Sequence, residues 1–122
     1  NEMNQYRLQN DWAFCHPNYI KEATDKIPSN LDILLTHGPA YGFLDQVATG
    51  KNVGSKELRD AVLKQKPHYV VSGHIHEAHG TEEWYETTFI NAALCSNRNV
   101  MLKDDGSLYY DPIVFQITPK DR

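Results

Sequence analysis

Apolar residues fall along the chain in short blocks separated by polar stretches rich in Gly and Pro. From Leu31 to Thr36 the run is nearly continuous and apolar, the pattern of a buried strand. His68 to Ser72 reads as a second buried strand. Between them, Ser55 to Lys66 spaces Leu58, Ala61 and Val62 at helical intervals, with Ser55 as a cap and Pro67 as a stop. A shorter helix is predicted from Pro17 to about Lys26, with Ile20, Ala23 and Ile27 on one face and Pro28-Ser29-Asn30 ending it. Residues 37–54 contain Gly38, Pro39, Gly42, Gly50 and Gly54 and read as a long loop, a length that in a small domain usually serves function. Downstream, Trp84 to Asn91 is rich in Thr, aromatics and Ile, which suits a strand. Val100 to Lys103 and Ser107 to Tyr110 flank Asp104-Asp105-Gly106 as a hairpin. Ile113 to Ile117 predicts a last strand, with a frayed tail from Pro119. Residues 1–16, punctuated by Tyr6, Trp12 and Phe14, read as irregular or as a short strand. The order is mixed α/β first and a β meander afterwards, without repeats, low-complexity tracts or linkers.

A strand, a crossover helix and a second strand form a right-handed unit whose strands run parallel, so both strands end at the same edge of the sheet. Ligand sites of open α/β sheets gather at that edge. His37 follows the first strand, and His74 and His76 follow the second, in Gly73-His74-Ile75-His76-Glu77. Residues far apart in sequence are thereby expected to converge.

Composition narrows the class. A chain of 122 residues makes one domain, and 40% hydrophobic content sustains a modest core. A net charge of −4 and a pI near 5.8 argue against a general nucleic-acid surface. No apolar run is long enough for a transmembrane helix or a signal peptide, so no membrane partner is expected. Cys15 and Cys95 do not form a Cys-x-x-Cys pair and read as two free thiols of a reduced, cytoplasmic compartment. The chain opens on Asn1 rather than Met, which leads to the expectation of a longer parent.

Imidazole nitrogen suits Zn, Mn, Fe and Co. Gly73 before His74 is expected to let the backbone turn sharply off the strand, and in an extended segment His74 and His76 would point the same way. Each could then take one of two adjacent ions, with His37 completing a shell. A lone histidine at a strand end is ordinarily a solvated polar residue; three brought together argue for metal. His16 and His68 belong to no such group, and His79 reads as solvated or as a contact for a bound anion. Glu77 reads as an orienting partner of a ligand histidine or a surface charge, and Asp45 as a ligand candidate without support. Asp32 sits too early on its strand to reach the edge.

Thr36-His37-Gly38-Pro39 with Tyr41-Gly42-Phe43-Leu44-Asp45, then Val70-Val71-Ser72-Gly73-His74-Ile75-His76-Glu77-Ala78-His79-Gly80, then Thr88-Phe89-Ile90-Asn91-Ala92, resemble the C-terminal half of a calcineurin-like metallophosphoesterase. Within that family the spacing fits the metallophosphoesterase-domain-containing, fetal-brain 239-like subgroup. Trp12-Ala13-Phe14 and the Ile27-Pro28 step fit as well, so the resemblance spans about residues 10–118. It implies the C-terminal half of a four-layer αββα sandwich with mixed sheets, and two divalent metal ions (Mn, Fe, Zn or similar) that hydrolyse phosphate mono- or diesters. By the family pattern His37 and His74 would bind one metal and His76 the other. The family's upstream motifs Asp-x-His, Gly-Asp-x-x-Asp and Gly-Asn-His-Asp, which supply the bridging Asp, the Asn ligand and the acid histidine, are absent here. Residues 1–122 are therefore expected to be the C-terminal portion of a single metallophosphoesterase domain whose upstream half lies elsewhere.

Three readings follow. The first is the C-terminal half of a phosphodiesterase-like hydrolase, inactive alone, acting as part of its parent on a small phosphoester, a cyclic nucleotide among the candidates. Its apolar faces would be covered by the missing N-terminal half or by a second copy of the chain. The second is a non-catalytic metal-binding or partner-binding module derived from that fold. The third is a single-zinc hydrolase using the three histidines, disfavoured because no general base is in view.

Overall fold

The computed structural model describes residues 17–96 and 100–119; the expected irregular stretch 1–16, with Cys15 and His16, lies outside them. Helix α1 (Pro17–Asp25) opens on its proline and carries the exposed pairs Lys21–Asp25 and Lys26–Glu22 one turn apart. Strand β1 (Ile33–Leu35) is shorter than the predicted Leu31–Thr36. Helix α2 (Lys56–Gln65) forms as the sequence predicts. The Ser55 hydroxyl accepts from the Leu58 amide at 3.0 Å, and Glu57 and Lys64 sit at the ends that suit their charges. The helix closes at Lys66, whose φ of 51° is left-handed and whose N–H reaches Val62 O. Strand β2 (Tyr69–Ser72), a short 3₁₀ turn (His76–Ala78), strand β3 (Gly80–Trp84) and strand β4 (Thr87–Asn91) complete the elements.

The four strands make one sheet in the order β1-β2-β4-β3. β1, β2 and β4 are mutually parallel, and β3 joins β4 antiparallel. The register aligns Leu34 with Val70 and Val70 with Phe89. Because side chains alternate across a strand, these three share one face. There they meet Leu58 and Val62 of α2, with Ala40, Phe43 and Ile27 packed at the margin. The Phe43 ring lies flat on Phe89 with centroids 4.1 Å apart. On the opposite face Tyr69 meets Phe115 at 5.2 Å, and its hydroxyl donates to Gln116 O and accepts from the Thr118 amide, both at 3.1 Å.

Three expectations are corrected. Trp84–Asn91 is not one strand: Trp84 ends β3, and the chain reverses at Tyr85, which takes a φ of 51°. The β meander after residue 100 does not form. The turn at Asp104-Asp105-Gly106 is present, but its arms pair only through the single bridge Leu102–Leu108. Met101, Leu102 and Tyr109 stay 42–49% exposed, so burial contributes little to holding a two-strand ribbon. Ile113–Ile117 is no strand either. Gln116 within it and Thr118 beside it bond to the Tyr69 hydroxyl, and Thr118 O meets His68 Nδ1, so the segment is strapped by side chains rather than added to an edge.

The loop at 37–54 is tightly organised. Asp45, 1% exposed, accepts from the Gly42 and Gly54 amides at 3.0 and 2.8 Å through one carboxylate oxygen. The Val53 amide reaches the Asp45 carbonyl. Residues 39–41 and 55 exchange backbone bonds so closely that a Cβ on Gly54 would lie 2.6 Å from Ala40.

Candidate metal-binding edge

The C-terminal ends of β1, β2 and β4 lie side by side, as parallel pairing requires. Pairing continues one step beyond β1, where the Gly73 amide donates to His37 O at 3.1 Å. Side chains that follow the first two strands are thereby brought together. The rings of His37 and His74 have centroids 4.7 Å apart, tilted by 40°. Thr36 Oγ1 donates to Gly38 O at 2.9 Å, shaping the turn that carries His37.

His74, not Gly73, makes the sharp departure from β2. Its φ is 68°, and the Ile75 amide closes on Gly73 O at 2.8 Å, a three-residue γ-turn with the histidine at its centre. A non-glycine residue at positive φ stores strain that the surroundings must hold. The His-x-His segment is therefore not extended. Ile75 turns inward, 8% exposed, and His76 starts the 3₁₀ turn. Partial desolvation first, then the neighbouring His37 and His76, lower the pKa of the solvent-exposed His74 below its ordinary 6.5. A neutral ring keeps a nitrogen lone pair for a ligand.

His76 is oriented from afar. Its Nδ1 lies 2.7 Å from Ser96 O, and a carbonyl can only accept, so the proton sits on Nδ1 and Nε2 carries the lone pair in the neutral ring. Ser96, 7% exposed, is itself held by Val100, and nothing local in the sequence connects it to His76. The same device occurs at His68, whose Nδ1 meets Thr118 O at the other end of β2, so it orients a ring without by itself marking a site.

Asn91, which in the sequence is legible only as part of a motif, holds this region in place. Fully buried at the end of β4, it donates to Leu44 O at 3.1 Å and to Ile75 O at 3.0 Å. One side chain thus ties the 37–54 loop to the His74 turn. Asp45 organises the loop through its glycine contacts. His79 stacks on Tyr110 at 4.6 Å, and its Nε2 donates to Asp111 O at 3.0 Å. Glu77 is exposed. Among the described residues no three His, Cys, Asp or Glu side chains are already gathered as a closed chelate. Imidazole is a donor type that borderline transition metals accept; two of the rings are paired, and His76 is near enough to act electrostatically on His74.

Among the described residues no helix is long and apolar enough to cross a membrane. No protein-family model matches the chain. Curated proteins do. The chain is 36% identical over 110 residues to UPF0046 protein T07D4.2 of Caenorhabditis elegans, covering 88% of this chain and 26% of that protein. It is 42% identical to UPF0046 protein C25E10.12 of the same organism, over 76% of this chain and 32% of the relative. It is 40% identical to Metallophosphoesterase domain-containing protein 1 of Homo sapiens, over 70% of this chain and 27% of the relative. The chain thus spans between a quarter and a third of the length of these relatives.

Proposed function

We propose, from a chain that is a homologue of the metallophosphoesterase-domain-containing and UPF0046 proteins, that it is the C-terminal portion of a metal-dependent phosphoesterase. The observation that carries this reading is the pairing of the His37 and His74 rings, 4.7 Å apart, at the C-terminal edge of parallel strands. His37 and His74 would hold one divalent ion, and His76, through Nε2, a second. Such ions lower the pKa of water and offset charge developing on phosphoryl oxygens. The chain's own residues position the donors: the γ-turn aims His74, the Ser96 carbonyl fixes the His76 tautomer, and Asn91 locks the loop behind both. The upstream half would complete a four-layer αββα sandwich and bring the carboxylates that this chain lacks. The substrate class is a small phosphoester, cyclic nucleotides included. The competing reading, a non-catalytic metal-binding or partner-binding module, is favoured only if those carboxylates are missing from the parent.

The test is made on the full-length parent with a chromogenic phosphodiester and added Mn²⁺ or Zn²⁺. His74→Ala is expected to lower turnover by at least about 100-fold, the upper end of what losing even an outer partner of a metal ligand costs. His79→Ala, which loses its stacking on Tyr110, should lower turnover far less than His74→Ala, as suits a group outside the metal shell. The 122-residue chain alone should turn over little or nothing. Equal losses from the two substitutions would remove His74 from the metal shell.

A further inference from the structure

A cavity of about 510 Å³ opens one residue beyond His76, between the loop around Asp45 and the start of β3. Its size falls within the range of small-molecule sites. Its polar lining is one-sided. Asp45, Glu77 and Glu82 contribute carboxylates, Gln46 and Asn52 contribute amides, and among the described residues no Lys or Arg lines it. His79 adds a further acceptor: with Nε2 donating to Asp111 O, Nδ1 of the neutral ring carries the lone pair. Leu44 and Val47 supply an apolar wall. Asp45 is 1% exposed, and although one of its oxygens takes two glycine amides, the buried Oδ1 has no hydrogen-bond partner among the described residues. A buried carboxylate oxygen left without a donor is costly, and this one belongs to a residue in the cavity wall.

We propose that this cavity binds a positively charged, amine-bearing group. An ammonium brings N–H donors and the opposite charge, which a lining of carboxylates and neutral acceptors favours. A phosphate or carboxylate would meet like charge there and is excluded from the same space. Because its lining begins at Glu77, the residue after His76, the cavity would take the non-phosphate portion of the substrate, and the substrate class would narrow to phosphoesters whose leaving group carries an amine. That last step rests on the phosphoesterase reading; the amine site does not.

The test is a titration of the ¹⁵N-labelled full-length parent with three probes of similar shape: 1,4-diaminobutane, 1,4-butanediol and succinate. The diamine is expected to shift the Gly42 and Gly54 amides, both bonded to Asp45, and the Ala78 amide, in a saturable way. The diol and succinate should bind at least about tenfold more weakly, the discrimination of one charge-assisted hydrogen bond. Glu77→Gln with Glu82→Gln, both exposed and so without consequence for the core, should weaken the diamine by about tenfold or more. Glu22→Gln with Glu83→Gln, the same charge change outside the cavity lining, should leave it unchanged. Equal shifts from the diol or succinate, equal weakening by both variant pairs, or no saturable shift would each overturn the proposal. No phosphoester enters the titration, so its failure leaves the phosphoesterase reading to the His74→Ala comparison.

Discussion

On one face of the sheet Leu34, Val70 and Phe89 form a row sealed by α2, with Val70 and Phe89 1% and 3% exposed. On the other face the row Leu35, Val71 and Ile90 runs from 74% exposed at β1 to 1% at β4. Both rows are apolar, and both alternate correctly along their strands. The difference lies in what covers them. The first face is closed by a helix that the chain places between β1 and β2, so the cover comes with the strands. The second is closed only in part, by the strap through Phe115, Gln116 and Thr118. An apolar strand residue thus signals a face that wants cover, and not where the cover comes from. The bare part of the second face, at Leu35, is where the proposed second sheet would sit.

The largest effect expected from this comparison is at Phe89. Phe89→Ala should cost about 3–5 kcal/mol, since it empties the sealed row and loses the stacked Phe43 ring. Leu35→Ala should cost less than about 0.5 kcal/mol, because little apolar surface there is out of water. Urea midpoints followed by circular dichroism measure both, and losses of similar size would abolish the distinction between the faces.

A smaller effect concerns the strap. Tyr69→Phe removes the hydroxyl bonded to Gln116 O and to the Thr118 amide, for about 1–2 kcal/mol in total. Hydrogen exchange sharpens the point: the Thr118 amide should lose protection while the Val70 amide, inside the sheet, keeps it. Uniform loss at both would make the strap part of the cooperative core.

The smallest effect is at the histidine edge. Partial desolvation and the neighbouring rings depress the His74 pKa, so in the metal-free chain the unfolded state takes up its proton first as pH falls. The stability linked to His74 is complete above the unfolded value near 6.5 and declines as pH drops through the lower folded value. Proton NMR should place the His74 midpoint below 6.5, and His37→Ala, which removes one positive neighbour, should move it upward. A midpoint above 6.5 would contradict the partial desolvation and the pairing together.

Much of this arrangement was legible in the chain. The β1-α2-β2 unit, the Ser55 cap, the stop at Pro67 and the long loop follow from periodicity and local turn chemistry. The meeting of His37 and His74 follows from one topological rule, that parallel neighbours end at a common edge. The reversal at Tyr85 was hidden, because an aromatic residue carries no preference for positive φ. The last apolar blocks have the pattern of strands without forming them, because alternation reports a face and not a pairing partner.

What the sequence determined by itself is whatever depends on contacts a few residues apart: element identity, caps, and which residue types arrive at the edge. The tertiary structure alone decided how they are used there. The strained turn at His74 is held by Asn91 of another strand, seventeen positions on. The tautomer of His76 is set by a carbonyl twenty residues downstream. Asp45 is buried because two glycine amides converge on it. Each of these rests on hydrogen bonds that exist only after packing has excluded water, so no window of sequence contains them.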